Sequence, residues 1–168
     1  ASYMFGDASG SGFGSSLEID GNLFYSHGQW NQNNSDESSN FRELSNLVLA
    51  IQEARVKGLL VNSELFVFTD NCTAESTFYK GTSSSKKLFE LMLQLRKIEM
   101  HSSTILHVIH ISGKRMISQG TDALSRGAAS IGVMAGNSML SYVPLHLNAI
   151  QRGGNTLLSW VLSWFSGA

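Results

Sequence analysis

Apolar and polar positions divide the chain into stretches that each read as one element. Tyr3-Met4-Phe5 leads as a short apolar strand into Gly6-Asp7-Ala8-Ser9-Gly10-Ser11-Gly12. Ser15 to Ile19 then alternates with strand period, Asp20-Gly21 is a strong two-residue hairpin signal, and Leu23 to Trp30 returns as its partner. The first thirty residues therefore predict a three-strand antiparallel meander. Asn31 to Ser39 holds no apolar residue and reads as a loop. From about Asn40 to Lys57, Phe41, Leu44, Leu47, Val48 and Ile51 recur at the three-and-four spacing of one buried helix face, and Gly58 closes the segment.

The second half repeats the logic with different periods. Leu65-Phe66-Val67-Phe68-Thr69-Asp70 is a continuous run of strand formers, the pattern of a strand buried on both faces, and it ends on an acid. Cys72 to Tyr79 predicts a helix, Gly81 to Ser85 a linker, and the stretch through Met100 a helix with Leu88, Phe89, Leu91, Met92, Leu95 and Ile98 on one face. Ile105 to Ile111 predicts a fifth strand. His107 and His110 on it are three apart and so point to opposite faces, which argues against a shared metal. Ser112 to Gly120 reads as a basic loop, and Thr121 to Arg126 as the start of a helix.

Composition narrows the setting. With 168 residues, 42% of them hydrophobic, the chain has material for one real core plus an extension. A single Cys72 forms no internal disulfide, and no basic-then-apolar leader opens the sequence, so the expected setting is intracellular, in cytoplasm or nucleus. A formal net charge of −1 argues against a free-standing, high-affinity nucleic-acid binder, because such affinity comes mostly from Lys and Arg neutralising phosphates. Between Gly127 and Ala168 the one charged residue is Arg152. The apolar run Leu157 to Phe165 there is shorter than the ~20 residues a membrane span needs, so no membrane span is expected.

Four acids stand at element ends, and each has an ordinary reading on its own. Asp7 follows a strand, where Asp favours turns. Glu43 sits three residues after Asn40, a plausible N-cap, as a capping-box acid would. Asp70 could cap the helix that follows, and Asp122 could serve as a first-turn acid beside Thr121.

Taken in order, Asp7 after a first strand, Glu43 early in a first helix, Asp70 ending a fourth strand and Asp122 opening a last helix resemble the ribonuclease H family. Gly6-Asp7-Ala8-Ser9, Thr69-Asp70-Asn71 and the run from His110-Ile111-Ser112-Gly113-Lys114 to Thr121-Asp122-Ala123-Leu124-Ser125-Arg126 are most similar to the RNase H of retrotransposon polyproteins. Ser138 to Leu147 and Trp160 to Trp164 resemble the segment that follows RNase H in DIRS-type elements.

The resemblance implies an α/β fold with a mixed five-stranded sheet in the order 3-2-1-4-5, flanked by helices on both faces. It would occupy residues 1–127, with 128–168 as a low-charge C-terminal extension. It further implies endonucleolytic hydrolysis of the RNA strand of RNA–DNA hybrids by two Mg²⁺ ions, Mn²⁺ substituting, beside a reverse transcriptase domain in the same polyprotein. Asp7, Glu43, Asp70 and Asp122 would hold metal, with His110 as a candidate loop histidine aiding product release. Ser9, Gly10, Gly12, Asn40 and Asn71 are candidates for contact with the hybrid's sugar edges. A chemical reason stands beside the resemblance: hard divalent cations prefer oxygen ligands, and paired ions can both activate water and stabilise a leaving oxygen. Such crowded carboxylates also repel and raise one another's pKa until a metal arrives. The competing reading is a non-catalytic RNase H-like domain kept for structure or protein interaction. An integrase of the same fold is disfavoured, because Glu43 precedes the second aspartate rather than coming last.

Overall fold

The computed structural model describes residues 1–32, 37–81, 83 and 85–144. Its sheet is built from β1 (Ser2–Ala8), β2 (Gly12–Ile19), β3 (Asn22–Gln29), β4 (Glu64–Thr69) and β5 (Ile105–His110). The strand order is β3-β2-β1-β4-β5, with β1 antiparallel to β2, β2 antiparallel to β3, and β1, β4 and β5 mutually parallel. The meander and the order expected above are both present. Asp20 and Gly21 sit in the β2–β3 turn with positive φ, 51° and 80°, the backbone that an Asp-Gly hairpin uses.

Helices α1 (Ser39–Val56), α2 (Cys72–Lys80) and α3 (Lys86–Ser102) cover one face of the sheet. Leu44, Leu47, Val48 and Ile51 of α1 and Leu88, Leu91, Leu95 and Ile98 of α3 pack there against Met4, Leu17, Leu65, Val67, Leu106 and Val108 of the strands. The apolar periodicity of both helices thus matches their buried stripe.

The opposite face is apolar as well, because β1 and β4 are buried on both sides. Tyr3, Phe5, Phe66, Phe68 and Ile109 meet Met116 of α4 (Gly113–Gln119) together with Val133, Met139 and Val143. Those last three come from the stretch after Gly127, where two single-turn 3-10 helices span Gly132–Ala135 and Met139–Tyr142. Helix α5 (Thr121–Ser125) lies against β2 and β1. The apolar run from Leu157 to Phe165 and the DIRS-like segment beyond Pro144 lie outside the described residues.

Three local expectations are corrected. Ser112 to Gly120, read as a loop, is helix α4: the Ser112 side chain accepts from Arg115 N, Met116 is fully buried, and Gly120 closes the turn at φ 106°. Its two bracketing glycines mimic loop punctuation, and only a buried tertiary contact supplies the helix's reason to form. Helix α1 is capped by Ser38, which accepts from Phe41 N, rather than by Asn40. Helix α2 is capped by Asn71, which accepts from Ala74 N, rather than by Asp70. Glu43 and Asp70 thereby lose the capping roles that would have explained them.

Candidate active site

Asp7 stands one residue short of the end of β1, on the face shared with Tyr3 and Phe5. The parallel register pairs Phe5 with Phe68, so two residues further on Asp7 and Asp70 come side by side at the carboxyl ends of adjacent strands. Glu43 arrives from α1. Helix α1 can come this close because residue 6 is glycine: a Cβ there would lie 2.6 Å from Leu47 Cδ2. Ligand oxygens of Asp7, Glu43 and Asp70 all fall within 4.8 Å of one another.

The fourth acid approaches from the other face. Gly14 is the cross-strand partner of Asp7, and a Cβ on it would lie 2.8 Å from Ser125 N and 3.1 Å from the Leu124 carbonyl carbon. The missing side chain lets α5 lie on β2 directly beside Asp7. Asp122 is carried there close enough to help raise the Asp7 carboxyl pKa, while the tight cluster of ligand oxygens is formed by Asp7, Glu43 and Asp70. Two glycines on opposite faces thus admit the two helices that flank Asp7. Arg126 reaches back to Asp122 at 3.5 Å on the solvent side.

Electrostatics at this cluster are strained in one direction. Burial first, then the charges of Glu43 and Asp70, push the Asp7 carboxyl up to about 10. Burial likewise raises Glu43 to about 7, although the adjacent Asp7 carboxyl and the bond from the Ala8 amide oppose the rise. Asp70 is also raised, mainly by burial. The Ala8 N–H donates to both Asp7 Oδ1 (3.1 Å) and Glu43 Oε1 (3.0 Å), and Glu43 Oε2 is buried with no donor facing it. An orphaned carboxylate oxygen beside two more carboxylates is what a hard, oxygen-seeking divalent cation would satisfy, so the residues fit such an ion.

The remaining sequence candidates take distinct places. Asn71 Nδ2 donates to Asn40 Oδ1 at 2.9 Å, joining the starts of α2 and α1 next to the acids. Ser9 is buried, its hydroxyl accepting from Gly12 N at 3.0 Å and its carbonyl accepting from Trp30 Nε1 at 3.1 Å. Gly10 is exposed at the turn between β1 and β2. Gly12 is buried, and what approaches it is this chain's own backbone: a Cβ would meet Ser125 O at 2.4 Å and Gly28 O at 2.6 Å. His110 is exposed at the end of β5, where its N–H donates to Glu75 Oε2 and its imidazole helps to lower the Asp70 pKa. Gly113 is close by, its Cβ position 3.9 Å from Asp70 Oδ2.

Sequence reasoning missed Asn46. Buried on α1, it donates from Nδ2 to both Asp7 O (3.1 Å) and Gly14 O (2.9 Å), tying the helix that bears Glu43 to both strands beneath it. The available signal was a polar residue three positions after Glu43, inside an apolar stripe.

No family model matches the chain, and no curated protein matches it by sequence. Solved structures do. LC11-RNase H1, determined in complex with an RNA/DNA hybrid, superposes with a TM-score of 0.64 at 20% identity, over 76% of this chain and 96% of that one. The chain has the ribonuclease H fold. RNase H1 from the halophilic archaeon Halobacterium salinarum superposes at 0.57 and 16% identity, over 74% of this chain and 92% of its own. A foamy viral protease-reverse transcriptase, also determined with an RNA/DNA hybrid, gives 0.51 at 13% identity over 76% of this chain and 19% of that longer one. Within the ribonuclease H fold the acids of this chain sit where two strand ends and two helix starts meet. Among the described residues no helix is long and apolar enough to cross a membrane.

Proposed function

We propose that this protein is a metal-dependent endoribonuclease that hydrolyses the RNA strand of RNA–DNA hybrids, as the RNase H part of a retrotransposon reverse transcriptase polyprotein of long-terminal-repeat or DIRS type. The observation that carries the reading is the convergence of Asp7, Glu43 and Asp70 within 4.8 Å, with Glu43 Oε2 left without a donor. A domain kept only as scaffold gains nothing from buried acids that repel one another. Two of the structural neighbours were determined with RNA/DNA hybrids, which supports the substrate class. The order of acids and the Thr121 to Arg126 run support the retrotransposon setting, and with it an intracellular location in cytoplasm or nucleus.

In this reading Asp7, Glu43, Asp70 and Asp122 would hold two Mg²⁺ or Mn²⁺ ions. When bound, such a pair supplies an activated water and charge stabilisation on the leaving oxygen. The residues of the chain do the rest. Asp7, central to the cluster, would hold metal as the carboxylate, giving up to solvent the proton that its burial otherwise keeps. The linked amides of Asn40 and Asn71 present donors beside the acids to a sugar edge, where the 2′-hydroxyl distinguishes RNA from DNA. Ser9, Gly10 and Gly12 shape the turn that follows Asp7, and His110 at the rim of Asp70 aids product departure. A net charge of −1 gives weak grip on a duplex, so the adjacent reverse transcriptase domain holds the hybrid.

The deciding experiment incubates an end-labelled RNA–DNA hybrid with the protein in Mn²⁺, with EDTA and with Asp70→Asn as controls. The expected result is internal cuts in the RNA strand alone, abolished by either control. Cleavage that survives Asp70→Asn sinks the assignment of this site.

A further inference from the structure

Helix α5 carries Asp122 yet spans only Thr121 to Ser125, too short to hold itself. Its N-cap residue, Gly120, has no side chain to offer the first free N–H groups. The residue before it does that work. Gln119 Oε1 accepts from Thr121 N at 2.9 Å and from the Thr121 hydroxyl, while Nε2 donates to Ser16 Oγ at 2.8 Å. Ser16 Oγ and Thr121 Oγ1 close the triangle at 2.9 Å. Gln119, Ser16 and Thr121 are all fully buried, so no water competes for these bonds. Ser16 pairs with Phe5, two residues before Asp7 on the same face, and the triangle therefore ties the start of α5 to the strands that carry the site.

The joint is also clasped from outside. A Cβ on Gly120 would lie 2.2 Å from Ile131 O, and one on Gly132 would lie 2.1 Å from Gln119 O. Met139 Sδ lies 3.5 Å from Gln119 Nε2. The chain from Ile131 to Met139 thus closes over the same glutamine.

We infer that Gln119 is the positioning residue for Asp122, and that the segment from Ile131 to Met139 belongs to the unit that holds this fourth carboxylate in place. Gln119 touches neither substrate nor metal and acts only through Asp122. The inference rests on the metal-dependent reading above, and its test separates the two.

The test compares wild type, Gln119→Met, Asp122→Asn and the double variant. Methionine keeps the length and apolar volume of glutamine and removes its donor and acceptor. Gln119→Met is expected to raise the Mn²⁺ concentration for half-maximal hybrid cleavage about tenfold, with KM for the hybrid changed less than about twofold. The double variant is expected to cleave no more slowly than Asp122→Asn alone, because Gln119 has nothing further to position. Independent, additive losses overturn the inference.

A second readout needs neither metal nor activity. In the metal-free protein, amide exchange at Thr121 to Leu124 is expected to quicken at least about tenfold in Gln119→Met, while β1 and β4 amides stay within about twofold. Unchanged exchange in α5 overturns the inference even if cleavage falls. Should Gln119→Met fail to fold, Ser16→Ala opens the same triangle and is read the same way. A wild type that cleaves no hybrid defeats the proposed function, and amide exchange then decides the role of Gln119 alone.

Discussion

Removing the titratable carboxyl of Asp7 tests the electrostatic account of the site directly. Asp7 is buried, only 4% exposed, and burial with the charges of Glu43 and Asp70 lifts its carboxyl from 3.8 to about 10. Its folded value lies above its unfolded one, so its contribution to stability is complete below about pH 4 and is lost as pH rises towards about 10. Between pH 5 and 8 the folded metal-free protein keeps a proton on Asp7 that the unfolded chain has released. One such proton changes stability by about 1.4 kcal/mol per pH unit, or about 4 kcal/mol across this range. Glu43, raised from 4.5 to about 7, steepens the lower part of the decline. The assay is urea unfolding in EDTA at pH 5, 6, 7 and 8, for wild type and Asp7→Asn. Wild type is expected to weaken steadily with pH, and Asp7→Asn to weaken by about 2–4 kcal/mol less over the range. The histidines and the surface groups are common to both proteins and cancel in the difference. Parallel lines, within about 0.5 kcal/mol, would refute the claim that Asp7 folds protonated.

Adding Mg²⁺ or Mn²⁺ at pH 8 is expected to raise the melting temperature of wild type by several degrees: a hundredfold excess over Kd is worth about 2.7 kcal/mol, and a chain of this size gains about 2–4 °C for each. Calorimetry showing no shift at millimolar metal counts against an assembled site. Gly14→Ala places a methyl 2.8 Å from Ser125 N and pushes α5 off β2, so hybrid cleavage is expected to drop about 10²-fold, and a variant with wild-type rates would separate Asp122 from the chemistry. His107, buried and stacked on Phe66 with ring centroids 4.6 Å apart, has its pKa lowered by burial to about 4. Its folded value lies below its unfolded one, so its contribution is present above about pH 6.5 and lost as pH falls through 4. His107→Phe keeps the stack and is expected to spare up to about 3 kcal/mol of that acid loss, measured as urea midpoints at pH 4 and 6.5.

Some of this was legible residue by residue. The apolar spacing of Phe41 to Ile51 and Leu88 to Ile98 set two helices, Asp20-Gly21 set the hairpin, and the unbroken run from Leu65 to Thr69 set a strand buried on both faces. Each signal is a local periodicity or a turn conformation, and local rules read those well. Helix α4 escaped them because Gly113 and Gly120 look like loop punctuation, and Met116, its one fully buried apolar side chain, forms no repeating stripe. Asn46 escaped because only the distant carbonyls of Asp7 and Gly14 explain an amide in an apolar stripe.

By itself the sequence determined the order of the acids and the elements that bear them, since both follow from neighbours a few positions apart. Their convergence was decided by tertiary structure alone. Parallel pairing of β1 with β4 brings Asp7 to Asp70 across more than sixty residues of chain, and the missing side chains of Gly6 and Gly14 admit α1 and α5 from opposite faces. Burial and mutual repulsion, which raise the pKa values of Asp7, Glu43 and Asp70 together, exist only after those contacts form.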